Sequence, residues 1–331
     1  MRFAFFGTPQ FAATILDRLL AADMTPELVV TQPDAVSRRG SKLWPSAVAN
    51  RAEQAGLPLD KPNDLRDPAF VARLAALELD CVILAAYGRI IPSTLLETAR
   101  HGWVNVHASL LPRWRGAAPI QRAILAGDEA TGVSIMRMEA GLDTGPFCSQ
   151  ARVDIGTKES DQLEDELAVA GARLLIADLP QILGDTVTWH IQDESQVTYA
   201  DKIGKHELDL SPEQTALVNA QRVRASSDSA SARLTLECGG KEIALRALSA
   251  EIRSLSSQGA SGTATPAAGA VLDTTTGDHL ALICAPADGA SSRSNQSDYC
   301  AITRLQPAGK RPQGAADFLR GLRMKEPLTW R

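Results

Sequence analysis

Several common signals are missing from this chain of 331 residues. No apolar run approaches the roughly 20 residues that a membrane-spanning helix needs. The Gly-x-Gly-x-x-Gly fingerprint does not follow the first apolar segment, Arg2 to Gly7, which argues against a nucleotide-dependent dehydrogenase. The five cysteines form no Cys-x-x-Cys pair, so neither structural zinc nor a disulfide framework is expected. Because Met1 leads directly into the first segment, we expect no signal peptide and a cytoplasmic protein. The sequence also has no cluster of cysteine and histidine residues, so we expect no metal requirement.

An excess of positive charge is also missing. The chain has 34 Lys and Arg against 39 Asp and Glu, a net charge of −5. Basic residues are nevertheless concentrated in the segment Ser37 to Lys42 and in residues 304–331, where seven basic residues accompany only two acidic ones. Such local patches are compatible with a phosphate backbone as partner, although solvated basic segments are common.

The chain length predicts two domains. Apolar strands and amphipathic helices alternate up to about residue 183, which predicts an α/β domain with a Rossmann-like, mostly parallel sheet. Short alternating strands with glycine-rich turns follow the linker and predict a small OB-like β-barrel. The predicted boundaries are 1–188 for the first domain, 189–206 for the linker and 207–331 for the barrel. Within these domains we expect a loop over Gln32 to Pro45, a strand near Arg152 to Asp154 and a long helix from about Ser160 to Leu183. We also expect a helix over Ser211 to Arg224, with Pro212 in its first turn.

Three polar residues of the central stretch form a coherent set for acyl transfer to an amine. Asn105 and His107 lie two residues apart in an apolar strand, so their side chains point to the same face. Asp143 lies between two glycines in a later turn. An amide and an imidazole can stabilise the oxyanion that forms when a carbonyl is attacked, and a carboxylate can accept the proton of the amine. Each motif alone also occurs without catalysis, and only their joint occurrence favours an active site.

The same stretch resembles the methionyl-tRNA formyltransferase family. The resemblance covers roughly the first two hundred residues and is carried by these segments: Phe5 to Ala12, Thr31 to Asp34, Asn105 to Gln121, Thr131 to Met136 and Gly141 to Gly145. It implies transfer of a formyl group from 10-formyltetrahydrofolate to the amino group of methionine on initiator tRNA. It also implies a C-terminal barrel that binds tRNA. We expect a monomer, although the sequence itself leaves the oligomeric state open.

The resemblance assigns roles residue by residue. It implies that Asn105, His107 and Asp143 are the catalytic trio. The residues implied to line the formyl-donor site are Ser109, Leu110, Leu111 and Pro112. The residues implied to contact the tRNA acceptor stem are Arg38, Arg39 and Lys42.

Alternatives remain open at this stage. Formyltransferases that act on glycinamide ribonucleotide or amino sugars, and formyltetrahydrofolate hydrolases, share the Asn-x-His and Asp elements. A non-catalytic RNA-binding protein could keep the same fold. The barrel also departs from the family pattern, because Ser226 to Ala232 replaces the usual Asn-Pro turn. In addition, two low-complexity insertions interrupt its strands, at Ser254 to Thr265 and at Ala285 to Ser297. How the barrel binds tRNA is therefore left open by the sequence.

Overall fold

The chain divides into two compact units in a computed structural model. The model describes residues 1–36, 43–227, 230–254, 267–272, 278–286, 298–322 and 327–331. The first unit comprises Met1–Ala123, Glu129–Gly156 and Gln162–Lys202, and the second comprises Ile124–Asp128, Thr157–Asp161 and Ile203–Arg331. Residues 189–202 of the predicted linker therefore group with the first unit and residues 203–206 with the second. Within the described ranges, no helix combines the length and apolar character needed to cross a membrane.

The N-terminal elements alternate strands and helices as the sequence predicts. The strands are β1 Phe3–Gly7, β2 Leu28–Val30, β3 Ala35–Val36, β4 Leu43–Trp44, β5 Leu59–Asp60, β6 Cys81–Ala85, β7 Trp103–His107, β8 Arg115–Gly116, β9 Ala130–Arg137, β10 Phe147–Asp154 and β11 Tyr199–Ala200. The helices are α1 Gln10–Ala21, α2 Ala47–Gln54, α3 Pro68–Ala75, α4 Ser93–Leu96, α5 Pro119–Ala126 and α6 Ser160–Leu183, and Glu194–Gln196 forms a 3₁₀ turn.

Seven of these strands form one sheet in the order β10-β9-β7-β6-β1-β2-β5. The pairs from β7 to β5 are parallel, whereas β9 and β10 run antiparallel at one edge. Strands β1 and β6 are apolar and buried at all five positions, as strands covered by helices on both faces must be. Phe6 and Trp103 pack with ring centroids 4.7 Å apart in the core of this sheet. The predicted Rossmann-like sheet is confirmed.

Two details of the first unit differ from the prediction. The expected loop over Gln32 to Pro45 contains a short antiparallel pair, in which Ala35 lies opposite Trp44 and Val36 opposite Leu43. Strands of two residues are too short to show a period-2 pattern, so the sequence could not indicate them. Strand β10 also begins at Phe147, five residues before the predicted strand. Its exposed and half-buried positions at the sheet edge provide little apolar signal.

The second unit contains an antiparallel sheet. Its elements are α7 Ala216–Arg224, β12 Arg233–Cys238, β13 Lys241–Ser254, β14 Val271–Leu272, β15 Leu280–Ile283, β16 Asp298–Pro307, β17 Gln313–Gly314, α8 Ala315–Gly321 and β18 Thr329–Trp330. The strand order is β14-β15-β16-β13-β12-β18. The two edges meet, because Val271 N donates to Leu328 O at 3.2 Å and Trp330 N donates to Gly269 O at 2.9 Å. The sheet is therefore a nearly closed barrel, and the predicted barrel is confirmed.

Helix α7 begins five residues later than the sequence predicts. The Thr215 hydroxyl accepts from Val218 N at 3.2 Å and caps the helix. The Asn219 side chain bonds the backbone N and O of Ser211, which holds the preceding residues in a turn. Elements β17, β18 and α8 were not predicted. Most of the two low-complexity insertions lies outside the described residues.

Candidate active site

Strand β7 places two polar side chains on one face of the sheet. It is held between β6 and β9, with Asn105 opposite both Leu84 and Met136. Asn105 is 6% exposed and His107 5% exposed, although the other residues of the strand are apolar. Two adjacent polar side chains in an apolar strand require partners or a ligand, because an unsatisfied buried polar group is costly.

The His107 ring faces an oxygen atom at each nitrogen. Its Nε2 lies 3.0 Å from the carbonyl oxygen of Trp114, and a carbonyl can only accept, so Nε2 carries a proton. Its Nδ1 lies 3.7 Å from Asp143 Oδ2. That separation allows electrostatic attraction but is longer than a hydrogen bond. The Nδ1 edge of the ring therefore remains available to a third group.

Asp143 is held in a constrained turn, which we call the Asp143 turn (residues 141–145). Its φ of 50° is uncommon for a residue with a side chain. Its Oδ2 accepts a hydrogen bond from Gly116 N at 2.9 Å. A side chain at Gly145 would overlap the carbonyl oxygen of Arg137, so only glycine fits there. The turn thus presents the carboxylate to His107 in one defined orientation.

The Asn105 side chain is available to a ligand in this site. Within the described residues it forms no hydrogen bond through its side-chain amide. An amide with two donors and a carbonyl acceptor, nearly buried and next to His107, can bind a polar group of a ligand. The arrangement is suited to stabilising a negative oxygen atom.

The loop 108–113, after β7, is fixed by side chains of the antiparallel edge. Ser134 Oγ donates to Ser109 O at 2.7 Å and accepts from Leu111 N at 3.1 Å. Gln150 Nε2 donates to Leu111 O at 2.8 Å. The Ser109 hydroxyl donates to Arg113 O at 2.6 Å, so it bonds within the loop. Of the four residues predicted to line the donor site, Ser109 and Leu111 are buried, and Leu110 and Pro112 are partly exposed.

The structure thus brings the three predicted catalytic residues together on one side of β7. The predicted tRNA-binding residues Arg38, Arg39 and Lys42 lie outside the described residues, between β3 and β4.

Two buried residues beside the site were missed by the sequence reasoning. Arg115 is 1% exposed and donates through both terminal nitrogens to Glu194, at 2.8 and 3.3 Å. Those hydrogen bonds lower the pKa of the Glu194 carboxyl. Gln192 is 4% exposed and contacts the Asp143 turn. No sequence signal marks them, because Arg115 lies in a basic stretch typical of the surface and Gln192 in a segment with few apolar positions.

The backbone of this region is stabilised by residues distant in sequence. Thr198 Oγ1 accepts from Trp114 N at 2.9 Å, and Thr198 O accepts from Arg115 N at 2.9 Å. Strands β8 and β11 pair in parallel, and Ala200 O accepts from both Ala117 N and Ala118 N. Trp114 has a φ of 65°, so the position of its carbonyl against His107 depends on this support.

Comparison with known proteins gives a consistent result. The family model described as "Formyl transferase" matches residues 1–179. The chain is 42% identical to a methionyl-tRNA formyltransferase of Rhizorhabdus wittichii, over 97% of this chain and 95% of that protein. It is 40% identical to the protein of the same name from Halorhodospira halophila, over 98% of this chain and 97% of that protein.

A solved structure shares the fold at low sequence identity. An N-formyltransferase from Helicobacter canadensis, in complex with folinic acid and dTDP-3-aminofucose, aligns with a TM-score of 0.61. The alignment covers 91% of this chain and 98% of that chain at 14% identity. At this identity the likeness shows the fold alone.

Proposed function

This chain belongs to the methionyl-tRNA formyltransferase family, and we propose that it transfers a formyl group from 10-formyltetrahydrofolate to the α-amino group of methionine esterified to initiator tRNA. The product is N-formylmethionyl-tRNA, which is used in translation initiation. The chemistry is acyl transfer to an amine, and it needs no nucleophile from the protein.

One observation carries the proposal at the level of the site. The Asn105 amide is nearly buried, forms no side-chain hydrogen bond within the described residues, and lies two residues from His107 on the same face. The carboxylate of Asp143 completes the group, 3.7 Å from His107 Nδ1. A hydrogen-bond donor and an imidazole ring are thus available to one reacting carbonyl, and a carboxylate is available to the amine that attacks it.

We propose the following roles. The neutral amine attacks the formyl carbon, and the carbonyl oxygen becomes an oxyanion that accepts hydrogen bonds from the Asn105 amide and from Nδ1–H of the protonated His107 ring. Asp143 accepts the proton that the amine loses, directly or through water. The bond between the formyl carbon and N10 then breaks, and as tetrahydrofolate leaves N10 takes the proton that Asp143 received from the amine, directly or through water. The Nε2–H bond to Trp114 O keeps the ring oriented throughout.

The formyl donor is proposed to bind against the loop 108–113. Leu110 and Pro112 provide partly exposed apolar surface there, and the buried Ser109 and Leu111 fix the loop beneath it. A rigid apolar surface suits a planar ring system such as a pterin. The assignment of Ser109 follows from the family resemblance, and its hydroxyl acts within the loop.

The acceptor is proposed to bind near the segment between β3 and β4. Arg38, Arg39 and Lys42 provide three positive charges in that segment, and charges of this kind neutralise phosphates. Leu43 and Trp44, at its described end, are 55% and 57% exposed. We propose that these basic residues contact the acceptor stem of the tRNA.

The proposal is tested by transfer of labelled formyl from 10-formyltetrahydrofolate. The acceptors are methionine charged on initiator tRNA, methionine charged on elongator tRNA, and free methionine. Label on the initiator alone is expected. Release of tetrahydrofolate without a labelled acceptor would instead indicate a hydrolase, and label on a small amine in a parallel assay would indicate a small-amine formyltransferase.

A further inference from the structure

The buried Gln192 forms three hydrogen bonds around the proposed catalytic carboxylate. Its Nε2 donates to Asp143 O at 2.8 Å and to Gly145 O at 2.6 Å. Its Oε1 accepts from Arg115 Nε at 2.9 Å. One side chain therefore bonds both the central and the last residue of the Asp143 turn.

The orientation of this amide is determined by its partners. The two carbonyl groups can only accept, and an arginine Nε can only donate. The NH₂ group of Gln192 must therefore face the turn, and its oxygen must face Arg115. Because Arg115 is itself held by Glu194 through both terminal nitrogens, the amide is fixed from outside the turn.

The turn needs such support. Asp143 has a φ of 50°, a conformation that is strained for a residue with a side chain and persists only when the surroundings impose it. Gln192 bonds the backbone of Asp143, and Gly116 N bonds its carboxylate at 2.9 Å. Arg115 and Gly116 are consecutive, so adjacent residues of β8 support both the main chain and the side chain of Asp143.

We propose that Gln192, oriented by Arg115, is a positioning residue for formyl transfer, because it sets the place of the Asp143 carboxylate relative to His107. The inference rests on the proposed function. Displacing a catalytic group by about 1 Å can reduce the rate about a hundredfold. Loss of the Gln192 bonds should therefore lower kcat and leave the affinity for both substrates nearly unchanged.

The test compares Gln192→Met with Gln196→Met. Methionine keeps the length of the side chain and removes all three hydrogen bonds. Gln196 is exposed in the same segment, and among the described residues it donates only to Asp193, within its own turn. We expect Gln192→Met to lower kcat about 10- to 100-fold, with KM for tRNA and for the folate within about twofold and with a folded protein at the assay temperature. Gln196→Met should retain the wild-type kcat.

A double-mutant cycle separates positioning from general stability. If Gln192 acts through Asp143, Gln192→Met should have little further effect on the residual rate of Asp143→Asn. The inference would be overturned if Gln192→Met lowered kcat by the same factor in the wild type and in Asp143→Asn. An unchanged kcat in the single variant Gln192→Met would also overturn it. Absence of formyl transfer by the wild-type enzyme would overturn the proposed function instead, so the two failures are distinguishable.

Discussion

His107 Nδ1 and Asp143 Oδ2 lie 3.7 Å apart, close enough for charge attraction and too far for a direct hydrogen bond. The pair is held from opposite sides, by Trp114 O at the ring and by Gly116 N at the carboxylate. A reacting amine or a water molecule can therefore interact with the carboxylate without first breaking a bond between the two residues.

Replacing the carboxylate should slow the reaction strongly. Asp143→Asn keeps the shape of the side chain and removes the proposed base, and general-base catalysis typically contributes about 10²- to 10⁴-fold. We expect kcat for formyl transfer to fall within that range. Asp154→Asn, an exposed carboxylate at the end of β10, is the matched control and should be neutral. A rate near wild type for Asp143→Asn would remove this residue from the mechanism.

Removing the oxyanion donor should have a similar effect. Loss of one such donor costs about 10²- to 10³-fold in kcat. We expect Asn105→Ala to lower kcat by this amount, and His107→Ala, which removes the second proposed donor, to do the same. The circular dichroism spectrum and the melting temperature of both variants should remain close to those of the wild type. Single-turnover transfer with saturating folate measures the loss directly. Near-normal turnover in either variant would contradict its assigned role.

The hydroxyl of Thr198 should contribute to both stability and activity. Thr198→Val removes the acceptor of Trp114 N and leaves a donor unsatisfied, at a cost of about 1–3 kcal/mol. Because Trp114 O orients His107, kcat should also decrease. Thr198→Ser keeps the hydroxyl and should retain most of both properties. Urea unfolding and initial rates measure the two effects, and identical behaviour of the Val and Ser variants would exclude the bond as their cause.

Glycine should be required at position 145 for steric reasons. A Cβ at Gly145 would overlap Arg137 O, and overpacking typically costs about 1–3 kcal/mol. Gly321, at the end of α8, has open space around the equivalent atom, so Gly321→Ala should be neutral or stabilising by about 0.4–1 kcal/mol. Thermal unfolding of the two alanine variants provides the comparison. A Gly145→Ala protein as stable as wild type would show that the turn can shift.

Cys148 should be unreactive in the native protein. Burial, and then the negative charge of Asp178, raise the pKa of its thiol to about 12. The raised value means that the neutral thiol persists up to that pH, so at pH 8 roughly one part in ten thousand is thiolate. Peptide mapping after iodoacetamide treatment at pH 8 should find Cys148 unmodified in native protein and modified in urea. Rapid alkylation in the native state would contradict the raised pKa of this thiol.

The sequence predicted the structure best where an element is buried and its apolar residues follow the period of a strand or a helix. Strand β7 reads as an apolar strand, and period-2 geometry was sufficient to place Asn105 and His107 on one face. Helix α6 was predicted with the bounds that the structure has, because its signal extends over 24 residues. The roles of Asn105, His107 and Asp143 came from residue chemistry together with family resemblance, and those of Ser109 to Pro112 from resemblance alone. Both assignments remain predictions.

Long-range contacts account for what the sequence did not show. Gln192 and Arg115 are 77 residues apart in sequence, and their burial follows from the hydrogen bonds between them and the turn. No local pattern distinguishes a glutamine with three internal partners from a solvated one. The start of α7 was also missed, because Asn219 bonds back to Ser211 and stabilises a turn where Pro212 suggested a first helical residue.

The pairing of β8 with β11 determines the stage of synthesis at which the proposed active site can form. The family match ends at residue 179, yet Gln192 bonds the Asp143 turn, and Thr198 and Ala200 bond the backbone of residues 114–118 beside His107. During synthesis the chain appears from its N-terminus, so a contact can form only after both of its residues have left the ribosome. A nascent chain can contain every strand of the seven-stranded sheet and still lack residues 192–200, which support the proposed active site. Competence for formyl transfer therefore arises only after residue 200 has left the ribosome.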